Sequence, residues 1–370
     1  MRILHISSAV HYGGGERHLI DLCRGLHEHG HEVYVAIRPT SRWQERLAFL
    51  PAGNILHVSI RNSFGVFSAK RIADFAREKR IEIIHAHVAR DYIPANIASM
   101  AARGTRFVLT RHVMFPLKPF NKFALRNLAR AIAVSPAVAD CIEPVFSAKK
   151  ISVIPNGIYI KEIADGEKEV LGQEFRSFHN IPADAALIGT IGELNELKGQ
   201  REFILAAAEV INKFPNAYFV VVGRDNSPGG SLRRELRRLS GVMGLDNQIL
   251  FLDWVEDLSP LLSALDLYVS ASHTESFGLA TLEAMAHGTP VVATATEGSR
   301  ELLQREDLLV PVRDPVAIAA KISDMLADRD ATRRLGLELQ QRAAAKFSLP
   351  TMVESTEKLY SELIAGRSRE

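Results

Sequence analysis

The stretch ESFGLATLE, from Glu275 to Glu283, combines residue types that could bind a ligand carrying phosphate and many hydroxyl groups. It follows the apolar segment LDLYVSAS and leads into LEAMAHG, so it lies between a predicted strand and a predicted helix. Ligands of open α/β sheets bind at the carboxyl ends of the strands. Backbone N–H groups at a helix N-terminus favour phosphate, and carboxylates accept hydrogen bonds from hydroxyls. The stretch therefore indicates a nucleotide-sugar site.

Two other loops have residues suited to a diphosphate. Three glycines, Gly13, Gly14 and Gly15, follow the first predicted strand, and glycine lets the backbone approach a phosphate closely. This loop does not match G-x-G-x-x-G, and a plain tight turn is the alternative. Lys198 and Gly199 stand between a later strand and helix, where a lysine can neutralise a diphosphate. A solvated loop lysine is the alternative.

Short apolar runs alternate with longer helical patterns, which predicts repeated βαβ units and parallel sheets, an α/β fold. The predicted strands are 2–7, 32–37, 81–87, 106–110, 131–135, 151–155, 186–192, 217–223, 248–253, 265–271, 289–294 and 307–311. A chain of 370 residues suits two domains, and Pro and Gly in IPNGI interrupt the pattern. We therefore predict domains at 1–157 and 158–349. The amphipathic segment 350–366 could cap the second domain or cross back onto the first.

Composition narrows the class of protein. A hydrophobic content of 47% with 24% charged residues is typical of a soluble globular protein, and the net charge of +2 excludes no class by itself. The two cysteines, Cys23 and Cys141, and a start without a leader pattern predict a reducing, cytoplasmic setting. No apolar run approaches the length of a membrane span. The 13 histidines are scattered in sequence without metal-ligand spacing, so we interpret most as surface or satisfied core residues.

The segments GGGE, IPNG, LKG, VVG and SHTESFGLATLEAMAHGTPVVAT together resemble a known family over nearly the whole length. The chain is similar to the retaining glycosyltransferases of family 4, and its last segment fits that family's Glu-x7-Glu motif. The resemblance implies the GT-B architecture: two facing Rossmann-like domains with parallel sheets, and an inter-domain cleft that holds a nucleotide diphospho-sugar.

The resemblance also implies roles for individual residues. Glu275 would bind hydroxyls of the donor sugar, Glu283 the ribose hydroxyls, and Lys198 the diphosphate. His112, just after a strand, matches the position where relatives place a histidine close to the reacting sugar; otherwise it would be a loop residue. Further donor contacts would come from backbone and packing around the phosphates and sugar, at Gly13, Gly14, Gly15, Ser276, Phe277, Gly278 and Leu279.

One position departs from the family pattern. Relatives usually have an arginine that clamps the diphosphate together with the lysine, and here Glu193 stands in its place. A carboxylate repels a diphosphate, so leaving-group stabilisation would be weaker. Arg224 or Arg300 could supply the missing charge. Alternatively, the chain has low activity or none.

The acceptor side is expected in the first domain, where a long stretch contains no acidic residue. Between Asp91 and Asp140 there is no Asp or Glu. The basic residues and the interleaved apolar ones are Arg103, Arg106, Arg111, Lys118, Lys122, Arg126 and Arg130, with Phe115, Leu117, Phe120, Phe123 and Leu125. Such a stretch, 103–130, could lie on an anionic membrane surface. The alternative is a basic helix whose phenylalanines pack into the core. No nucleic-acid motif accompanies the charge.

We therefore expect a cytoplasmic retaining hexosyltransferase, for which a peripheral position at the inner face of the cytoplasmic membrane is a further option. It would move a sugar from a nucleotide diphospho-sugar to a glycan or lipid-linked acceptor in cell-envelope polysaccharide or lipopolysaccharide synthesis. No metal and no cofactor are expected, and the one Asp-x-Asp string, Asp328 to Asp330, lies far along the chain from the site. The alternatives are a nucleotide-sugar epimerase of GT-B shape, and a non-catalytic nucleotide-sugar-binding partner subunit, for which Glu193 is the support.

Overall fold

The computed structural model describes residues 1–60 and 65–367, which divide into two compact units. The first unit is Met1–Tyr159 together with the chain from Phe347 onward, and the second is Ile160–Lys346. Each unit is built on one parallel sheet. The part of the chain described here contains no helix long and apolar enough to span a membrane.

The first unit has a seven-stranded sheet in the order β3-β2-β1-β4-β5-β6-β7. Its strands are β1 (Arg2–Ser7), β2 (Glu32–Ile37), β3 (Ile55–His57), β4 (Ile83–Ala86), β5 (Arg106–Arg111), β6 (Leu128–Ala133) and β7 (Ile151–Val153). Ile3 on β1 pairs with Val33 on one side and with Ile83 on the other. The strand order therefore changes direction between β1 and β4, which is the usual place for a ligand at the carboxyl edge.

Helices pack onto this sheet, and the last one comes from the C-terminal end of the chain. The helices are α1 (Gly14–Glu28), α2 (Val66–Glu78), α3 (Tyr92–Ala101), α4 (Asn121–Ala124), α5 (Pro136–Ile142) and, at the end of the chain, α14 (Leu349–Arg367). Leu19, Leu22 and Leu26 of α1 share a core with Met352 of α14. A Cβ built on Gly25 would lie 2.4 Å from Val353, so glycine there lets α1 and α14 pack closely.

The second unit has a six-stranded sheet in the order β10-β9-β8-β11-β12-β13. Its strands are β8 (Ala186–Ile191), β9 (Ala217–Val222), β10 (Ile249–Leu252), β11 (Leu267–Ser270), β12 (Val291–Thr294) and β13 (Leu309–Val310). Its helices are α6 (Asp165–Phe178), α7 (Gln200–Lys213), α8 (Ser231–Val242), α9 (Ser259–Ala264), α10 (Leu279–His287), α11 (Glu297–Leu303), α12 (Pro315–Ala327) and α13 (Arg329–Lys346). In this sheet the strand order changes direction between β8 and β11.

The α/β class with two parallel sheets is confirmed. Strands that are buried along nearly their whole length, such as β2 and β9, explain why the sequence contains continuous apolar runs rather than alternating ones. The sequence analysis missed β3, which has only three residues at the edge of the first sheet, each of them half-buried.

Candidate functional site

The predicted donor loop leaves β11 and enters α10 through Gly278. This glycine is the N-cap of α10 with φ +98°, a left-handed conformation that favours glycine. No side chain of the described residues caps the helix there. The first-turn N–H groups and the helix dipole are therefore oriented toward the place where an anion would bind.

Lys198 and Glu275 form the ion pair of this site. Lys198 Nζ lies 2.5 Å from Glu275 Oε2, and both side chains are partly buried. Lys198 ends a 3₁₀ turn that Asn195 caps, and Gly199 follows with φ +66°. A Cβ on Gly199 would lie 1.9 Å from the carbonyl oxygen of Ala271, so the loop after β8 touches the loop after β11. The structure thus brings together the predicted cation and the predicted sugar-binding carboxylate.

The N-terminus of α11 supports the donor loop from another side. The Gly298 N–H donates to the carbonyl oxygen of Glu275 at 2.9 Å. A Cβ on Gly298 would lie 2.7 Å from Phe277 N and 2.8 Å from Glu275 O. The Phe277 side chain is buried. Phe277 therefore anchors the loop through packing, and the backbone of its neighbours is what a ligand could contact.

Glu283 lies on α10, eight residues after Glu275, and is half-buried. Burial raises the pKa of the Tyr268 phenol, and the carboxylates of Glu275 and Glu283 raise it further. Both glutamates therefore act electrostatically on the same buried hydroxyl, which places them in one neighbourhood of the second unit.

Glu193 is exposed and faces an amide. Its Oε1 accepts a hydrogen bond from Asn226 Nδ2 at 2.8 Å, which links the loops after β8 and β9. Of the two candidates for the missing cation, Arg300 pairs with Glu306, whereas the exposed Arg224 guanidinium lies 5.6 Å from the centre of the Trp254 ring and keeps its charge.

In the first unit, the glycine loop meets His112. Gly13 is the N-cap of α1, and Gly14 and Gly15 form the first turn. A Cβ on Gly15 would lie 3.9 Å from His112 Cδ2. Burial lowers the pKa of His112 well below its usual value, so the imidazole is neutral at neutral pH. The predicted glycine loop and the predicted histidine are therefore neighbours at the carboxyl edge of the first sheet.

Four more histidines, which the sequence analysis did not assign to a site, surround His112. They are His5 on β1, His18 on α1, and His85 and His87 at the end of β4. Ring centres of His18 and His112 are 4.7 Å apart, and those of His85 and His87 are 4.1 Å apart. These five histidines are spread along the sequence, and four of them are buried, but the fold brings them together as a cluster that the sequence analysis did not predict. The adjacency of β1, β4 and β5 was the signal that could have grouped them.

Comparisons with known proteins agree with this architecture. The family model described as Glycosyltransferase Family 4 matches residues 12–162, and the model described as Glycosyl transferases group 1 matches residues 185–328. The chain belongs to glycosyltransferase family 4. The lipopolysaccharide core biosynthesis glycosyltransferase LpsE of Rhizobium meliloti (strain 1021) is 26% identical over 362 residues, covering 96% of each chain.

A second relative matches over a shorter part. The D-inositol 3-phosphate glycosyltransferase of Corynebacterium jeikeium (strain K411) is 33% identical over 219 residues, 58% of this chain and 52% of the relative. Among solved structures, Anabaena Alr3699/HepE in complex with UDP and glucose is similar with a TM-score of 0.84 and 22% identity, covering 98% of this chain and 100% of that one. This likeness confirms the predicted GT-B fold.

The basic stretch of this family-4 glycosyltransferase has an exposed part and a buried part. Phe115 and Phe123 are 68% and 79% exposed, so the alternative of phenylalanines packed in the core is wrong for them. Lys118, Lys122 and Arg126 are also exposed. Arg111, which the sequence analysis counted with them, is buried and donates to the carbonyl oxygen of Phe115. The exposed patch is thus narrower than 103–130 and centres on 115–126.

Proposed function

We propose that this glycosyltransferase moves a sugar, with retention of anomeric configuration, from a nucleotide diphospho-sugar to a glycan or lipid-linked acceptor of the cell envelope. The observation that carries the proposal is the Lys198–Glu275 pair beside the uncapped N-terminus of α10. A diphosphate would draw Lys198 to itself, and Glu275 would then accept hydrogen bonds from the sugar hydroxyls. From the family resemblance we add His112 beside the reacting sugar.

Breaking the anomeric bond leaves negative charge on the departing diphosphate. Lys198 and the first-turn N–H groups of α10 would stabilise that charge more strongly in the transition state than in the ground state, which is what accelerates the reaction. We propose that this cationic and dipolar stabilisation makes a bound metal unnecessary for donor cleavage. Neither Glu275 nor Glu283 is assigned as a nucleophile, because both are proposed to bind hydroxyls.

The test is transfer or slow donor hydrolysis with UDP-, GDP- and ADP-sugars, in the presence of EDTA. UDP-glucose comes first, because the similar Anabaena protein binds UDP and glucose. Lys198→Ala should lower kcat by about a hundredfold to a thousandfold, as for loss of one oxyanion-stabilising group. Lys213→Ala, an exposed lysine at the end of α7, is the matched control. Full activity of Lys198→Ala would refute the assigned role.

The alternatives give different products in the same assay. An epimerase would return an isomerised donor, and a non-catalytic subunit would bind a donor without turnover. The relatives named for lipopolysaccharide core biosynthesis support envelope glycans as the first acceptors to test.

We also propose that the patch at 115–126 binds an anionic membrane surface at the cytoplasmic face. Exposed phenylalanines can insert at the headgroup level, while Lys118, Lys122 and Arg126 are attracted to anionic lipid. Sedimentation with vesicles of phosphatidylglycerol and phosphatidylcholine should retain the wild-type chain. Phe123→Ser combined with Lys122→Gln should weaken that binding, whereas Phe178→Ser, at an exposed phenylalanine of the second unit, should not. Equal binding to neutral vesicles would contradict the proposal.

A further inference from the structure

Three of the clustered histidines share a point in space and have nitrogens without partners. One ligand atom from each of His18, His87 and His112 lies within 4.8 Å of the others. His18 and His87 are 4% and 5% exposed, and His112 is half-buried. Among the described residues, Nδ1 of His87 and Nε2 of His112 have no hydrogen-bond partner, and the His18 ring has none other than the Asn156 amide beside it. A buried polar atom without a partner costs about 1–3 kcal/mol, so this arrangement needs an explanation.

The other two histidines, His5 and His85, differ in that most of their ring nitrogens have hydrogen-bond partners. His85 is held by the Tyr360 hydroxyl at 2.5 Å on Nδ1 and by the Thr110 hydroxyl at 2.7 Å on Nε2. His5 Nδ1 lies 3.0 Å from His87 Nε2. Histidines that bind metals are typically oriented by such a hydrogen bond on the second ring nitrogen. His5 thus orients His87 and leaves its Nδ1 for a ligand.

The surroundings also keep the imidazoles in the form that binds metals. Burial lowers the pKa of His18 to about 4, and burial lowers those of His87 and His112 as well. Asn156, itself buried, lies beside His18, and a side-chain hydrogen bond between them raises the pKa of His18 against the larger effect of burial. Neutral imidazoles present lone pairs, which a metal needs and a proton would block.

We propose that His18, His87 and His112 bind a first-row transition-metal ion, with Zn²⁺ as the preferred species. Three histidines with a fourth open position are a known zinc arrangement, and imidazole also suits Cu²⁺ and Ni²⁺. Zn–N distances of about 2.0–2.1 Å require nitrogens about 3.3 Å apart, so nitrogens that lie within 4.8 Å of one another would have to approach by up to about 1.5 Å to close the site. Hard cations such as Mg²⁺ and Ca²⁺ would not bind, because they prefer oxygen ligands.

Occupation of this site inhibits sugar transfer. The metal takes the lone pair of His112, the residue assigned to the place beside the reacting sugar, and fixes its ring in the cluster. This step rests on the proposed function, whereas metal binding itself does not.

The binding test uses the full chain stripped with EDTA and then titrated with Zn²⁺ in a calorimeter, and with Co²⁺ while the visible absorption is recorded. We expect one equivalent per chain, the intense absorption of tetrahedral Co²⁺, and a higher thermal midpoint with Zn²⁺. His18→Gln and His112→Gln should each weaken binding at least tenfold. His57→Gln, at a histidine bonded to Gln44, should bind like the wild-type.

Because His18 is buried, circular dichroism must first show that each variant is folded; the half-buried His112→Gln and the wild-type thermal shift remain informative if His18→Gln is not. Less than a tenth of an equivalent bound by the wild-type, or wild-type affinity in the folded His112→Gln variant, would overturn the site.

The inhibition test follows turnover with the best donor. Zn²⁺ should inhibit over the concentration range in which it binds, EDTA should reverse the inhibition, and Mg²⁺ should have no effect. Binding with undiminished turnover would overturn the inhibitory role. If no donor is turned over at all, the proposed function fails while the calorimetric result still decides the site.

Discussion

The family resemblance implies that Glu193 stands where relatives have an arginine, so we expect this carboxylate to weaken the hold on a diphosphate. A Cβ on the preceding Gly192 would lie 3.6 Å from the Lys198 side chain, so position 193 adjoins the cation of the site. Glu193→Arg should raise kcat/KM for the donor by about tenfold, which corresponds to about 1.4 kcal/mol of transition-state stabilisation. Initial rates across donor concentrations measure this.

The control for this change is Glu193→Gln, which removes the charge and keeps a polar group opposite Asn226. Its rate should fall between those of the wild-type and the arginine variant. If both variants are slower than the wild-type, the value of Glu193 lies in the hydrogen bond that joins the loops after β8 and β9, and the clamp is not deficient.

At the scale of elements, the donor loop depends on the close approach of α11. Gly298→Ala would push a methyl group into the backbone of Glu275 and Phe277. We expect a loss of about 1–3 kcal/mol in unfolding free energy, as for overpacking, and a raised KM for the donor. Denaturant titration and donor kinetics measure the two effects.

The control is Gly166→Ala, in α6, where nothing lies within 4 Å of the Cβ position. It should not destabilise the protein and should leave KM unchanged. An unaltered KM in Gly298→Ala would mean that the loop can shift without affecting the donor.

At the opposite edge of the second sheet, the end of α10 makes stability depend on pH. His287 borders a cavity of about 810 Å³ that also touches the residues preceding β8, β11 and β12. The pKa of His287 is lowered to about 4, chiefly by burial and to a smaller extent by Lys168 and Lys161, while Asp257 opposes the shift. Ser263 is hydrogen-bonded to its ring.

The pKa of His287 is lower in the folded chain than its ordinary value of 6.5 in the unfolded chain. As the pH falls, the unfolded chain therefore binds a proton at this histidine before the folded chain does, and the free energy of unfolding decreases below about pH 6.5. Between pH 7 and 5 this histidine should cost about 1 kcal/mol, after allowance for its partial exposure. His287→Gln should remove that part of the pH dependence in denaturant titrations at the two pH values. His11→Gln, at an exposed residue of the first unit, should not. An identical slope in His287→Gln would contradict the assignment.

At the scale of the whole molecule, the sequence predicted the two parallel sheets because buried strands leave continuous apolar runs. It missed β3, whose three half-buried residues leave no such run. It predicted Glu275 and Lys198 as donor residues from their positions at strand ends, but not that they pair, because the contact depends on the approach of Gly199 to Ala271.

The histidine cluster shows the same limit. Its members are far apart in sequence, on β1, α1, β4 and after β5, and each taken alone resembles an ordinary core or loop residue. Strand order brings them together, and strand order is a property of the folded sheet. The amphipathic pattern of segment 350–366 likewise did not show which domain its apolar face packs against. In the structure the corresponding helix, α14, packs in the first unit.

That packing makes the first unit depend on the last residues of the chain. Met352, Val353 and Tyr360 of α14 are buried in its core, and the Tyr360 hydroxyl holds His85. A chain ending at Lys346 would expose the apolar surface of α1 and leave His85 Nδ1 without its partner. We expect amide hydrogen exchange to accelerate throughout the first unit, while residues 160–346, which keep their own core, remain protected. A chain ending at Gly366 should exchange like the full one, since it keeps α14 nearly complete. Undiminished protection of β1 and β4 in the shorter chain would mean that the core of the first unit is complete without α14.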